Sequence, residues 1–278
     1  MNNFICAACG TQFAAGERPP AQCAICQDPR QFVPPSGQRW TTLEQLRVGH
    51  RNAWQKCETG LLGLGTVPEF AIGQRALLLR TAQGNFLWDC ISLLDGATIE
   101  LIRSLGGLRG IAISHPHYYT TVVEWSRAFD NAPIHLHEAD REWVMRPDSA
   151  IQFWAGEQKE LAPEVRLIRC GGHFPGGTIL HWNHGAEGRG ALLTGDILQV
   201  TSDGMVSFMF SYPNLTPLSA ATVRMVAQKV ASLSFDRIYG AFWERVIPAH
   251  GSEIVRRSVA RYLAAIDPSG RAPTIGQL

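Results

Sequence analysis

From about Trp40 the chain alternates short apolar runs with polar turns, and the period of each run predicts its element. RALLLRT (75–81) and NFLWDC (85–90), separated by the turn AQG, are predicted strands. In DGATIELIRSLGG (95–107) apolar residues recur at helical spacing and stop at a glycine pair, which predicts a helix. LRGIAIS (108–114) reads as a short buried strand, TTVVEWSRAFDNA (120–132) as a helix and PIHLHEA (133–139) as a strand. EVRLIRCGGHFPGGTILHWNH (164–184) gives two strands around a glycine-rich loop, and GALLTGDILQ (190–199) a strand with an acid at its end. PLSAATVRMVAQKVASLSF (217–235) starts from a Ser N-cap and continues at helical spacing. DRIYGAFWERVIPAHG (236–251) returns to extended structure, and SEIVRRSVARYLAAI (252–266) closes as a helix.

The first residues differ in texture. FICAACGTQFAAGERPPAQCAICQDPRQFVPPSG (4–37) has too few apolar residues to fold without a staple. It carries two CxxC pairs, Cys6/Cys9 and Cys23/Cys26, thirteen residues apart. Each pair can place two sulfurs on one tight turn, and Gly10 allows the positive φ that such a turn often needs. Four thiolates in a tetrahedral array suit zinc or a single iron. The predicted division is therefore a metal knuckle over 1–37 and a main domain over 38–278. The knuckle resembles the rubredoxin-like domain of rubrerythrin-type proteins in Phe4, GERPP (16–20), CAIC (23–26) and Phe32. Zinc would make it a structural clip and iron would permit one-electron transfer. Zinc is preferred because no flavin or haem signature accompanies the motif.

Composition narrows the field. Of 278 residues 45% are hydrophobic and 18% charged, so a substantial core is expected. The formal charge of +1, without a Lys/Arg block, argues against nucleic acid and against anionic membrane as partners. MNNFICAACG lacks the charged and apolar regions of a secretory signal, and no apolar stretch reaches transmembrane length, so a cytoplasmic protein is expected. In a reducing compartment the clustered cysteines read as metal ligands rather than disulfides, and Cys57, Cys90 and Cys170 as small buried hydrophobes.

A second constellation sits at predicted strand ends. His115 and His117 follow GIAI, and Pro116 between them biases His115 toward extended backbone, where both rings would lie on one side. His173 lies in the glycine-rich loop, Asp196 follows ALLTG, and His250 follows VIPA. A carboxylate buried at Asp196 needs a cation or several donors. Asp89, at the end of NFLWDC, is placed to orient a ligand histidine. His135 and His137 form another HxH without a glycine-rich or strand-end context and read as packing or surface residues; His181 and His184 read as rim residues. FMFSYPN (208–214) is either a cleft wall, core or a dimer contact.

In order and context these motifs resemble the metallo-β-lactamase superfamily, from about residue 60 to 262. The resemblance implies a four-layer αβ/βα sandwich, with two mixed sheets face to face, helices outside and a metal at the sheet edge. The superfamily motif HxHxDH reads here His115-Pro116-His117-Tyr118-Tyr119-Thr120, so Tyr119 and Thr120 replace ligands of a second metal. What remains is a zinc site of His115, His117 and His173, with Asp196 and His250 also available.

The leading expectation is a single-zinc hydrolase of a small-molecule ester, thioester, lactone or phosphodiester, with a homodimer as one option for its assembly. Asp196 would handle a proton with help from His250, and Tyr119 would donate to a developing oxyanion. A non-catalytic metal-binding sensor or interaction protein on the same fold is the alternative. An iron redox role ranks last, because HPHYY lacks the acids of the flavodiiron loop.

Overall fold

The computed structural model describes residues 1–266. The chain opens with Ile5–Cys6 (β1), which pairs with Trp40–Thr41 (β2), so a small antiparallel sheet bridges the predicted boundary at residue 37. Helix α1 (Leu43–Gly49) follows, held at its start by a capping box between Thr42 and Gln45.

The main body is two mixed sheets. The first has seven strands in chain order: β3 (Arg51–Glu58), β4 (Leu61–Val67), β5 (Arg75–Thr81), β6 (Gly84–Trp88), β7 (Gly110–Ala112), β8 (Ile134–His137) and β9 (Ile151–Trp154). Pairing is antiparallel from β3 to β6 and parallel from β6 to β9. The second sheet comprises β10 (Gln158–Ala162), β11 (Val165–Arg169), β12 (Thr178–Trp182), β13 (Ala191–Gly195), β14 (Arg237–Gly240) and β15 (Val246–Ile247). Only β13 and β14 pair in parallel there.

Strand alternation explains the layers. On β5, Leu77 and Leu79 face the second sheet, where they meet Leu167, Leu180 and Leu193 in the inter-sheet core. Ala76 and Leu78 point the other way, into a cluster with Ile102 of α2 (Gly96–Ser104) and Trp125 of α3 (Val122–Ala128). Across the second sheet, Ile168, Ile179 and Leu192 pack against Val223 of α4 (Ala220–Ala231) and Val255 of α5 (Gly251–Ile266). The result is helix, sheet, sheet, helix, the predicted four-layer order.

The helix ends follow their punctuation. Asp95 caps α2 by accepting from the Thr98 amide at 2.8 Å, and Ser219 caps α4 from Thr222 at 3.2 Å. The glycine pair ends α2 as predicted, Gly106 and Gly107 both taking positive φ. Helix α3 is shorter than its periodic segment, because Asp130 and Asn131 turn into the left-handed region. Among the described residues no helix is long and apolar enough to cross a membrane.

Asp140, in the short 3-10 segment Glu138–Trp143, is a buried carboxylate that accepts from the Gly176 amide at 2.7 Å. Burial pushes its pKa up from 3.8 to about 6. A raised carboxylate pKa costs nothing below the unfolded value, costs progressively more as pH climbs to the folded value, and a constant amount above it. Asp140→Asn keeps an oxygen for Gly176 and is expected to stabilise the protein at about pH 8 by roughly 1–3 kcal/mol, and not at about pH 4. Urea denaturation at the two pH values checks this; an equal gain at both would contradict it.

Candidate functional site

Strand ends deliver the site. β7 runs through Ile113 and Ser114 into His115, whose backbone is extended at φ −170°. A single 3-10 turn, Pro116–Tyr118, then follows, so His115 and His117 are not alternate positions of one extended strand as expected. The turn nonetheless sets their rings 5.0 Å apart, centroid to centroid. Pro116 opens it at the first helical position, where its missing N–H costs nothing. The loop joining β11 to β12 carries His173 to 5.0 Å from both rings. β13 ends at Gly195 (φ +54°), where a Cβ would stand 2.6 Å from Ser114 Oγ. Only glycine lets this strand pass so close to the end of β7, and it places Asp196 against His115.

One donor atom each from His115, His117, His173 and Asp196 lies within 4.8 Å of the others, and all four residues are buried. His115 Nε2 is 3.2 Å from Asp196 Oδ1, and His173 Nε2 is 3.2 Å from His117 Nδ1. Tetrahedral ligands at zinc-like bond lengths stand about 3.3 Å apart, so the spacing fits a divalent metal. His115 Nε2 and Asp196 Oδ1 have no hydrogen-bond partner, an expensive state for buried polar atoms that a cation would relieve.

The surroundings prepare the ligand forms. Burial lowers the pKa of His115 and His117 well below the usual imidazole value, and the neighbouring His173 lowers both further. Burial brings His173 to about 4. All three are neutral at pH 7, as metal binding requires. His173 Nδ1 faces the Met209 carbonyl at 3.2 Å; a carbonyl only accepts, so Nδ1 carries the proton and Nε2 is a lone pair. Asp196 is pushed up to about 8 by burial and then by Asp89, a carboxyl in want of a positive neighbour.

Asp89 holds the scaffold. Its Oδ1 accepts from the Ser114 amide at 2.8 Å, while Ser114 Oγ lies 3.0 Å from His115 Nδ1. The Ser114 carbonyl accepts from Thr178 at 2.8 Å, tying the two sheets at the residue before the first histidine.

Two expected site residues stand elsewhere. His250 does not reach the cluster: it precedes α5 with an exposed side chain, and its amide donates to Asp236 Oδ1 at 2.7 Å. The VIPAHG motif is spent on starting a helix. The Tyr119 side chain belongs to the apolar cluster beneath α3, with Trp125 and Phe129, because the 3-10 turn directs it inward. The phenols at the centre are others. Tyr118 packs on His115 at 4.8 Å with a buried, unpartnered hydroxyl, and the Tyr212 hydroxyl donates to the Asp196 carbonyl at 2.5 Å. Of the YY doublet, Tyr119 rather than Tyr118 was the expected site residue, and Tyr212 lies in the aromatic run that reads as cleft wall, core or dimer contact. Of that run Phe208 is core instead. His135 and His137 are buried packing residues, the latter edge-on to Trp154 at 4.5 Å. His181 is buried, against the rim reading, and contacts the Ser234 carbonyl at 2.8 Å; His184 is exposed.

The cysteines also converge. Cys6, Cys9, Cys23 and Cys26 are buried, with 3.6 Å between the sulfurs of Cys6 and Cys26 and of Cys9 and Cys23. Tetrahedral thiolates at metal–sulfur distances of about 2.3 Å stand about 3.8 Å apart, so the four fit one metal ion. Gly10 takes φ +82° as the turn requires, and a Cβ there would collide with Ser92 Oγ at 2.4 Å. Gln38 Nε2 donates to Cys6 Sγ at 3.0 Å. Just past Cys26, within the same segment, Arg30, Gln31 and Phe32 join His117, His173, Asp196, Tyr212 and Phe242 around a cavity of about 220 Å³. Sequence reasoning missed Arg30, which carries no motif.

The protein YmaE of Bacillus subtilis (strain 168), described as uncharacterized, is 50% identical over 270 residues, spanning 96% of this chain and 98% of its own. The chain belongs to the YmaE family. No protein-family model matches it. Among solved structures, VMB-1 superposes with a TM-score of 0.59 at 11% identity, over 78% of this chain and 98% of its own. The DIM-1 metallo-β-lactamase gives 0.55 at 12%, over 75% and 98%, and TMB-1 gives 0.57 at 12%, over 75% and 95%. This YmaE relative therefore has the metallo-β-lactamase fold, with a four-cysteine cluster and a His/Asp cluster built on it.

Proposed function

We propose that the chain is a metal-dependent hydrolase acting through one divalent ion, preferably zinc, held by His115, His117 and His173 with Asp196 beside it. The observation that carries this reading is the convergence of three neutral imidazoles and an unpartnered buried carboxylate beside a cavity. A metal held there supplies Lewis acidity toward water and toward the scissile bond. The Asp196 carboxylate would orient the attacking water and take its proton: burial raises its pKa to about 8 without a cation, and a cation beside it would favour the ionised form that a base needs. Tyr212 fixes the Asp196 backbone; its only proton is committed there, so it is not the oxyanion donor. Phe32, Ile72 and Phe242 line an apolar side of the cavity and exclude water from the leaving group. At about 220 Å³ the cavity takes a small ester, thioester, lactone or phosphodiester. The four-cysteine site is proposed to hold structural zinc.

Treatment with a strong chelator is expected to abolish turnover of a small-ester and phosphodiester panel, to leave the far-UV spectrum of the sandwich intact, and to be reversed by one equivalent of zinc beyond that bound by the cysteines. Metal-independent turnover would end the proposal. The absence of any turnover with firmly bound metal would support the sensor reading.

A further inference from the structure

The cysteine knuckle and the histidine cluster meet at one loop. Four residues after Cys26, Arg30 sends Nε to the backbone carbonyl of His173 at 2.6 Å. Its guanidinium lies over the rings of Phe174 and Phe210, 4.4 and 4.8 Å from their centroids, and Nη1 is gripped by both oxygens of Asp28 at 2.9 Å. The same loop is laced to residues 211–214: Ser211 Oγ donates to the Arg30 carbonyl, and Asn214 Nδ2 to the carbonyls of Pro29 and Gln31, each at 3.0 Å. The carbonyl that fixes the His173 ring belongs to Met209, in the strand that leads into this laced segment. His173 is thus held at two points: its own carbonyl by Arg30 directly, and its Nδ1 by a strand whose end at Ser211 is bonded to the Pro29–Phe32 loop.

The first 37 residues contribute few apolar side chains, so the order of this loop depends on the cysteine cluster and, through it, on a metal. We propose that the four-cysteine centre is an assembly element of the histidine site: metal at the cysteines orders the Pro29–Phe32 loop, Arg30 passes that order to His173, and the two sites fill cooperatively. Arg30 is then a positioning residue, and the coupling is reciprocal, each metal raising the affinity for the other by the same factor.

The test is a binding measurement on the full chain and needs no substrate. The cysteine site is filled with cadmium, followed by its thiolate-to-metal absorption, and zinc affinity at the histidines is measured by competition with a chromophoric chelator. Zinc binding is expected to weaken about 10- to 100-fold in the Cys9→Ser/Cys23→Ser variant and in Arg30→Met with cadmium bound, the usual cost of losing a support behind a ligand. Arg18→Met, an exposed position in the same segment, is expected to match the unmodified chain. Zinc affinity within about twofold of the unmodified chain in folded Arg30→Met would overturn the proposal. If Arg30→Met fails to give a native near-UV spectrum, Arg30→Lys decides instead. It keeps the charge and stem but loses the fork to Asp28 and the contact to His173, and it faces the same thresholds.

Discussion

Asp196→Asn is expected to lower kcat/KM on any substrate found by about 10²- to 10⁴-fold, the usual contribution of a positioned base. It is expected at the same time to make the metal-free protein more stable. In the absence of a cation Asp196 is a fully buried carboxyl with one oxygen unpartnered, close to a second buried carboxyl at Asp89. The amide removes the charge and can donate to His115 Nε2 across the 3.2 Å that now separates the groups. A gain of roughly 1–3 kcal/mol is expected after chelation, and a loss once zinc is restored, because the cation then lacks its anionic neighbour. Denaturation with and without zinc reads both signs. Destabilisation of the metal-free form would mean that Asp196 serves the fold rather than the site.

Gly195→Ala is expected to cost roughly 2–5 kcal/mol, combining the strain of an alanine at positive φ with overpacking of a tight contact. The new methyl would stand 2.6 Å from Ser114 Oγ, 2.9 Å from Ser114 Cβ and 3.2 Å from Asp89 Oδ2. None of these can retreat, since Ser114 is pinned by Asp89 on one side and Thr178 on the other. The displacement passes to His115, so zinc affinity falls together with stability. Equilibrium denaturation and zinc competition on one preparation measure the two losses. Native values for both would show that the strand ends have room to separate.

The sequence made the layers legible because most of the strands around the site are apolar on both faces. RALLLRT and GALLTG divide their leucines between two cores, and such runs are recognisable without a partner. Strands β3 and β4 escaped because RNAWQKCE is mostly polar and LLGLGTV is broken by glycines that pack against Trp243. Strands β9 and β10 lie at sheet edges and carry half-exposed side chains, so their alternation is weak. His115, His117, His173 and Asp196 were visible because each stands just after an apolar run or among glycines. His250 shared that context and misled, since a strand end followed by Gly-Ser-Glu also describes the entry to a helix. Tyr119 misled for a related reason: a 3-10 turn rotates consecutive side chains by about a third of a turn, and the period of an extended strand gives the wrong face. Arg30 was out of reach because its role rests on contacts 143 residues away in the chain.

The position after Tyr119 is fixed by its packing. Thr120 is buried at φ +35°, and its carbonyl accepts from the Gln12 amide at 3.0 Å, so the N-terminal segment rests on the very turn where the superfamily motif would place a further histidine. Tyr119 meanwhile fills part of the apolar layer under α3. Asp at 119 and His at 120 would drive a charge into that layer and an imidazole against the Gly10–Gln12 turn. Two ligand-type residues at these places would therefore damage the fold before they could bind anything. A laboratory attempt at a two-metal variant would have to redesign the contacts of residues 10–12 first.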